Sequence, residues 1–351
     1  MVTHRRTGRA SLATQADVAR AANVSSATVS RVLNGSSLVS PDCAQSVRQT
    51  MKELGYIPHG IARSLALNRS GMIGAIIPTI NNDIFARGIN ALMERLRERN
   101  FSLMVSSCNY SLDLEGELAR HMLERGVDGL FLVGADHDSH TIDMIRKSGR
   151  PYVFSYVAKR SKHGPTIGFE NEEAAGQAID HLVGLGHKHI GMFAGITDGN
   201  DRAAARLQGA RGRLAKHHLA LDEASSCELP YTIEASREAF RKLVHEGKIP
   251  TAILCGNDVI AMGIMFEAAE LGVNIPDDLS IVGFDNHPLT EHLRPSLTTI
   301  DILADKMAEI AADALVDAIE TGNTIQSTTV GSPLLVRGTT AAPQTDVGRR
   351  R

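Results

Sequence analysis

Apolar positions along this chain change their spacing near residue 70. Between Thr14 and Leu54 they recur three and four apart, the period of helices buried on one side. Thr14-Gln15-Ala16-Asp17 reads as a capping box, and Val18, Ala19 and Ala22 form the small apolar face of the helix it opens. Asn23, tolerant of left-handed backbone, ends that helix, and Val24 plugs the turn. Ser25 caps a second helix whose Val29, Val32 and Leu33 must face inward, and Asn34-Gly35 closes it. Ser40-Pro41 opens a third helix, with an inner face of Val47, Met51 and Leu54 and a stop at Gly55.

From Met72 onward, short β-branched runs alternate with longer amphipathic stretches. The runs are 72–78, 102–107, 129–134, 152–156, 166–170, 189–195, 251–258 and 280–285; 84–99 and 172–185 are examples of the helices between them. This alternation predicts βαβ units and parallel sheet. The pattern resets across the polar Lys159–Pro165 segment, where a boundary between two lobes is expected. The fold class is thus a small all-α head followed by an α/β body.

Charge sharpens the division. Residues 1–69 carry nine Lys/Arg against three acids, a surplus of six positive charges. With an overall net charge of −3, the remainder is left at −9. A basic head on an acidic body suits a polyanionic partner. The second helix leaves Ser26, Ala27, Ser30 and Arg31 on its outer face. Small residues let a helix backbone approach base edges in a major groove, where an arginine takes guanine O6 and N7. A three-helix bundle with merely solvated Ser and Arg is the plainer alternative. The DNA-reading candidates in the head are Ser25, Ser26, Ala27, Thr28, Ser30, Arg31 and Asn34.

The four cysteines are scattered without a C-x-x-C pair, which argues against zinc and fits a reducing compartment. The first apolar stretch is short and follows His4-Arg5-Arg6, and no run is long enough for a membrane span, so a cytoplasmic protein is expected. Gly184-Leu185-Gly186 precedes a strand instead of opening a helix, so it is not a dinucleotide fingerprint. His187 and His189 read as strand-start structure, not as metal ligands. With no reactive constellation in view, no enzyme activity, metal or cofactor is expected.

The stretches DVARAANVSSATVSRVLNG and MKELGYIPHGIARSL, followed by IGAIIP, ERGVDGLFLV, HLVGLGHKHIGMFAG, RLQGAR, GNDVIAMG and VGFDNHPLTEHLRPSLTTI, resemble LacI-family regulators over residues 13–340. The resemblance implies a periplasmic-binding-protein-like body of two parallel-sheet lobes joined by three crossovers. It further implies an effector in the cleft, dimerisation through the body, and a hinge helix that forms on operator DNA. The implied layout is an N-terminal arm 1–12, a helix-turn-helix domain 13–57, a hinge 58–70, a body 71–340 and a tail 341–351. Within the body, lobe one is placed at about 71–160 plus 293–322, and lobe two at about 163–290 plus 323–340. In the hinge, Arg63, Ser64 and Leu65 match the stretch that enters the minor groove, with Leu65 as an apolar wedge. Most members repress, so a repressor is expected. No heptad follows Arg337, so a homodimer is expected over a tetramer.

Ligands of parallel α/β sheets sit beyond the carboxyl ends of strands. Asn82, Asp83, Ile84, Phe85, Tyr156, Asn200, Arg202, Arg206, Tyr231, Asn257 and Asp285 occupy such positions. The effector candidates are Phe85, Tyr156, Arg202, Arg206, Tyr231, Asn257 and Asp285; the resemblance singles out Phe85, Arg206, Asn257 and Asp285. Tyr156 departs from the family, standing where many members carry Asp. Asp83-Ile84 also replaces the usual Pro-aromatic pair. Arg202 and Arg206, one helical turn apart, read as a fork for a carboxylate or phosphate, which favours an anionic effector such as a sugar acid over a neutral sugar. A solute-binding protein and a sugar- or nucleoside-acting enzyme use the same kind of body. The basic head opposes the first, and the missing catalytic constellation opposes the second.

Overall fold

The structure is a computed structural model that describes residues 13–33, 38–56, 69–158, 161 and 163–344. The chain divides into two compact units, Met1–Ser70 and Gly71–Arg351.

In the head, α1 (Gln15–Ala21), α2 (Ser26–Leu33) and α3 (Pro41–Glu53) pack around Val18, Val29, Val32, Val47 and Met51. Each start has a side-chain cap. Thr14 and Asp17 form the reciprocal box, Thr28 N donates to Ser25 Oγ at 3.1 Å, and Cys43 N donates to Ser40 Oγ at 3.4 Å. Asn23 takes the left-handed conformation at φ 53°, which turns the chain between α1 and α2. One expectation fails here. Leu54 is 41% exposed, because it is the C-cap of α3 and lies past its last buried turn; Tyr56 is the buried residue instead.

The body contains two six-stranded sheets. The first uses β1 (Met72–Ile77), β2 (Ser102–Ser107), β3 (Gly129–Val133), β4 (Tyr152–Ser155), β5 (Thr166–Gly168) and β11 (Thr328–Thr329), ordered β11-β5-β4-β3-β1-β2 and wholly parallel. The second uses β6 (Ile190–Gly195), β7 (Cys227–Leu229), β8 (Ala252–Cys255), β9 (Ser280–Phe284), β10 (Thr298–Ile300) and β12 (Leu334–Leu335), ordered β12-β10-β9-β8-β6-β7, with only β12 antiparallel. Helices α4 (Asp83–Glu98), α5 (Leu112–Glu124), α6 (Ser139–Lys147) and α11 (Ala304–Thr321) pack in the first lobe. Helices α7 (Asn171–Gly184), α8 (Asp201–Lys216), α9 (Ile233–His245) and α10 (Asp258–Leu271) pack in the second. Central strands β3, β8 and β9 are buried at every position, as sheets covered on both faces require.

The chain crosses between lobes three times: from β5 to α7, from β10 to α11, and from β11 to β12. This corrects the lobe limits expected from the sequence. β5 pairs with β4, so lobe one runs to Gly168 instead of ending near 160. β10 pairs with β9, so the segment around 298–300 belongs to lobe two, and the returning piece of lobe one is α11 with β11. The tail expected to begin at 341 is also held at its start. Ala341 O approaches His187 Nε2 at 2.9 Å, and Ala341 N donates to Ser280 Oγ at 3.1 Å. His187 is therefore a buried structural clamp, with Thr251 Oγ1 at 3.0 Å on its other nitrogen.

Candidate functional site: a charged, aromatic cleft between two lobes

The ends of β1, β2, β4, β6, β7 and β9 face one cleft. Its narrow inner chamber, with about 20 Å3 of free volume, is lined by Phe85, Tyr156, Arg202, Arg206, Tyr231 and Asp285, together with Asn82, Ile84, Tyr110, Asn200 and Ile302. Six of the seven effector candidates thus converge. Asn257 does not line the chamber; it is buried as the N-cap of α10, where Ile260 N donates to its Oδ1 at 3.0 Å.

Each wall residue is set by its own local structure. Tyr156 follows β4 with φ 65° and donates its hydroxyl to Ile84 O at 3.0 Å, edge-on to Phe85. Gly88 in the middle of α4 permits this, since a Cβ there would collide with the Tyr156 hydroxyl. Gly195 at the end of β6 likewise leaves room for the Tyr231 ring, whose oxygen accepts from Asn200 Nδ2 at 3.3 Å. Asp285 sits just past β9 at φ 105°.

Arg206 is the hub. Its Nε donates to Asn171 Oδ1 at 3.0 Å, its Nη1 donates to Gly256 O at 2.7 Å, and its guanidinium lies 3.8 Å over the Phe284 ring. Its Nη2 is 3.7 Å from Asp285 Oδ1, an ion pair beyond hydrogen-bond reach. Asn171 in turn donates to Tyr156 O at 2.9 Å, so it ties the first-lobe wall to Arg206. Asp285 is pushed up to about 6 by burial, opposed by Arg206 and Arg87. The attraction of Arg206 therefore does not outweigh desolvation. Behind it, Asp258 is pushed up to about 8, chiefly by burial, while accepting from Thr299 Oγ1 and His287 N at 2.6 Å each.

The two arginines do not form the expected anion fork. Arg202 Nη1 donates to its chain neighbour Asp201 at 2.7 Å, and Arg206 is engaged as described. Asp201 also spans the lobes, accepting from Ala135 N at 2.7 Å. A further bond across the cleft runs from Arg87 Nη1 to Asn286 O at 3.0 Å. Four buried side-chain atoms have no hydrogen-bond partner among the described residues: Asp285 Oδ1 on the chamber wall, and Asp83 Oδ2, Asn257 Nδ2 and Thr166 Oγ1, whose residues do not line it.

In the head, Ser25, Ser26, Ala27 and Arg31 are exposed, while Thr28 and Ser30 are half-buried on the same helix. Thr28 Oγ1 lies 2.9 Å from Ser25 Oγ. Asn34, Arg63, Ser64 and Leu65 lie outside the described residues, as do the arm 1–12 and most of the hinge.

A capped helix-turn-helix and a two-lobed cleft body define a DNA-binding regulator with a small-molecule sensor. Comparison with known proteins agrees. Residues 14–59 match the bacterial regulatory proteins of the lacI family, and residues 179–340 match the periplasmic binding protein-like domain. Catabolite control protein A of Priestia megaterium is 33% identical over 299 residues, which span 85% of this chain and 89% of that protein. The repressor PurR of Photobacterium profundum is 29% identical over 313 residues, spanning 89% and 93%. Among solved structures, the lac repressor dimer bound to operator and the anti-inducer ONPF superposes with a TM-score of 0.84 at 27% identity, covering 94% of this chain and 99% of that one. The regulator CelR in complex with cellobiose gives 0.69 at 26% identity, covering 93% and 99%. The chain belongs to the lacI family of bacterial regulatory proteins. It is a DNA-binding transcriptional regulator with an effector-binding body.

Sequence reading found the cleft's arginines and Asp285 but missed Tyr110, Asn171 and Asp201. Tyr110 was findable, since Asn109-Tyr110 follows β2 as the other wall residues follow their strands. Asp201 was signalled by its position beside Arg202.

Proposed function

We propose that this regulator is a dimeric repressor whose operator affinity is set by a neutral, polyhydroxylated small molecule held between the lobes. The observation that carries the ligand class is Asp285 Oδ1, a buried acceptor on the chamber wall with no hydrogen-bond partner among the described residues. Sugar hydroxyls donate to carboxylates and accept from amides, so a polyol satisfies Asp285 and suits the neighbouring Asn82 and Asn200. A carboxylate or phosphate ligand would instead bring negative charge towards Asp285 and Asp83. No arginine in the chamber is free of a carboxylate neighbour to offset it, because Arg202 faces Asp201 and Arg206 faces Asp285. This reading replaces the anionic effector expected from the sequence. The cellobiose held by CelR is a ligand of the proposed kind.

Switching follows from the wall's composition. Phe85 and Tyr156 come from lobe one, and Arg206, Tyr231 and Asp285 from lobe two. A ligand touching both binds one lobe angle better than another and shifts the balance between them. In the head, the exposed Ser25, Ser26, Ala27 and Arg31 face of α2 is the proposed reader of base edges, with two heads on two half-sites. The proposed roles of Arg63, Ser64 and Leu65 in the minor groove rest on the sequence alone.

Thermal unfolding against a panel of neutral sugars and matching sugar acids tests the ligand class. A neutral sugar is expected to raise the melting temperature, and Asp285→Ala is expected to abolish that rise. Stabilisation by the acids alone would overturn the reading.

A further inference from the structure

The positive charge of the head is not concentrated in its folded helices. Residues 13–57 hold four basic residues, Arg20, Arg31, Arg48 and Lys52, against Asp17, Asp42 and Glu53, a surplus of one. Arg20 is moreover paired with Asp17 at 3.2 Å. The rest of the surplus lies on either side of the bundle. Arg63 and Arg69 follow it, and Arg5, Arg6 and Arg9 precede it, with no acid before Asp17.

Duplex DNA is bound largely through its phosphates, and a protein that grips an operator neutralises about 6–10 of them with lysine and arginine. Two bundles with a surplus of one each fall short of that. The arginines after the bundle raise the surplus to three per head, and the three in the N-terminal arm double it to six.

The arm itself, residues 1–12, lies outside the described residues, but the point it departs from does not. Gln15 Nε2 donates to Ser26 O at 2.9 Å, so the start of α1 is held against the start of α2. That end of α2 is where Ser25, Ser26 and Ala27 are exposed, and Thr14, the N-cap of α1, is exposed as well. The chain before Thr14 therefore leaves the bundle beside the beginning of the reading helix. At about 3.3–3.6 Å per residue, Arg9 lies within about 14 Å of Ala13 and Arg5 within about 29 Å. The major groove is about 12 Å wide, so all three arginines can reach the backbone bordering the groove that α2 enters. Between His4 and Ser11 the only apolar side chain is Ala10. This stretch has nothing to add to the head's core, and its chemistry is that of its guanidinium groups.

We propose that the arm is a second DNA contact of each head, in which Arg5, Arg6 and Arg9 neutralise phosphates flanking the bases read by α2. The partner is the sugar-phosphate backbone of duplex DNA, so the contact adds affinity and carries no base preference of its own. Its placement rests on α2 being the reading helix.

The test is titration of a labelled operator duplex, recovered by binding-site selection, with the full-length protein at several salt concentrations. The parent is compared with two triple variants, Arg5→Ala/Arg6→Ala/Arg9→Ala and Arg5→Lys/Arg6→Lys/Arg9→Lys. Each neutralised phosphate adds about 0.9 to the slope of log affinity against log salt, so losing the arginines of two arms should make the slope shallower by about 5. Between about 50 and 200 mM salt, the parent should then lose roughly a thousandfold more affinity than the alanine variant. The lysine variant should keep the parent's slope, because a phosphate responds to charge. All three proteins should melt at one temperature and select one consensus, since the capping pair Thr14 and Asp17 is untouched. An alanine variant whose slope lies within about 1 of the parent's overturns the proposal. A lysine variant that behaves like the alanine one, or a consensus altered by either, overturns it too. If Arg31→Ala leaves the consensus unchanged while the alanine variant's slope is shallow, α2 is removed as the reader and the arm's phosphate contacts stand.

Discussion

Replacing Arg206 by alanine removes one residue and disturbs four partners. Asn171 Oδ1 and Gly256 O lose donors at 3.0 and 2.7 Å, the Phe284 face loses its cation, and Asp285 loses the positive charge 3.7 Å away. Both members of the ion pair are buried. Breaking such a pair from one side costs about 3–5 kcal/mol, mostly because the survivor is left charged and unpaired. At about 2–4 °C per kcal/mol for a domain of this size, the body's melting temperature should fall by roughly 10 °C. The loss should also depend on pH. Asp285 is already pushed up to about 6, and without Arg206 its folded-state affinity for a proton rises further. The folded variant then holds a proton that the unfolded chain releases nearer 4, so its stability falls as pH rises. Calorimetry of the parent, Arg206→Ala, Asp285→Ala and the double variant at pH 5 and pH 8 provides the check. The deficit of Arg206→Ala should be larger at pH 8, and the double variant should be more stable than the sum of the single losses implies. Strictly additive losses with no pH dependence would refute the coupling between Arg206 and Asp285.

Three further outcomes are expected. Arg31→Ala should weaken operator binding by about 1–3 kcal/mol and relax preference at one base position; an unchanged consensus after binding-site selection would make Arg31 a phosphate contact. Arg87→Met removes the bond to Asn286 O while retaining most of the aliphatic stem, and should raise the open-lobe fraction at least about tenfold, the equivalent of ~1.5 kcal/mol for one charge-assisted bond. Spin-label distances between exposed Glu117 on α5 and Glu238 on α9 report it, and an unaltered distribution would show that this bond does not hold the lobes. Asp258, pushed up to about 8, keeps its proton in the folded state after the unfolded chain has released it, so parent stability should fall as pH rises from about 4 to 8. Asp258→Asn, which can still satisfy Thr299 and His287, should flatten that slope by at most about 1.4 kcal/mol per pH unit; an identical slope in parent and variant would refute the assignment.

Local chemistry explains what could be read from the chain. The helix starts at Thr14, Ser25 and Ser40 were legible because capping is a contact within three residues, and Asn23 because its backbone conformation is intrinsic. Strands β1, β3, β4, β6, β8 and β9 were legible because their burial leaves continuous apolar runs, whereas β2 and β5 were read from their place in the alternation, β2 having no buried position and β5 only three residues. β7, β10, β11 and β12 were not, being two or three residues long and defined by partners far along the chain. The lobe limits failed for the same reason: β5 is Thr-Ile-Gly, and only its pairing with β4 assigns it to lobe one. In the cleft, position after a strand was enough to find Phe85, Tyr156, Tyr231 and Asp285. What each arginine faces depends on tertiary packing. Spacing alone made Arg202 and Arg206 an anion fork, whereas Asp201, Asn171, Gly256 O and Asp285 already engage them.

The most direct test joins the head to the cleft. Duplexes recovered by binding-site selection from random DNA should share a near-palindrome with two half-sites. Titration of that duplex with the full-length protein, with and without a saturating amount of the tightest-binding neutral sugar, should give affinities that differ 5- to 150-fold, the range of ordinary allosteric coupling. An identical affinity in both titrations, with the sugar shown to be bound, would contradict a ligand-switched regulator.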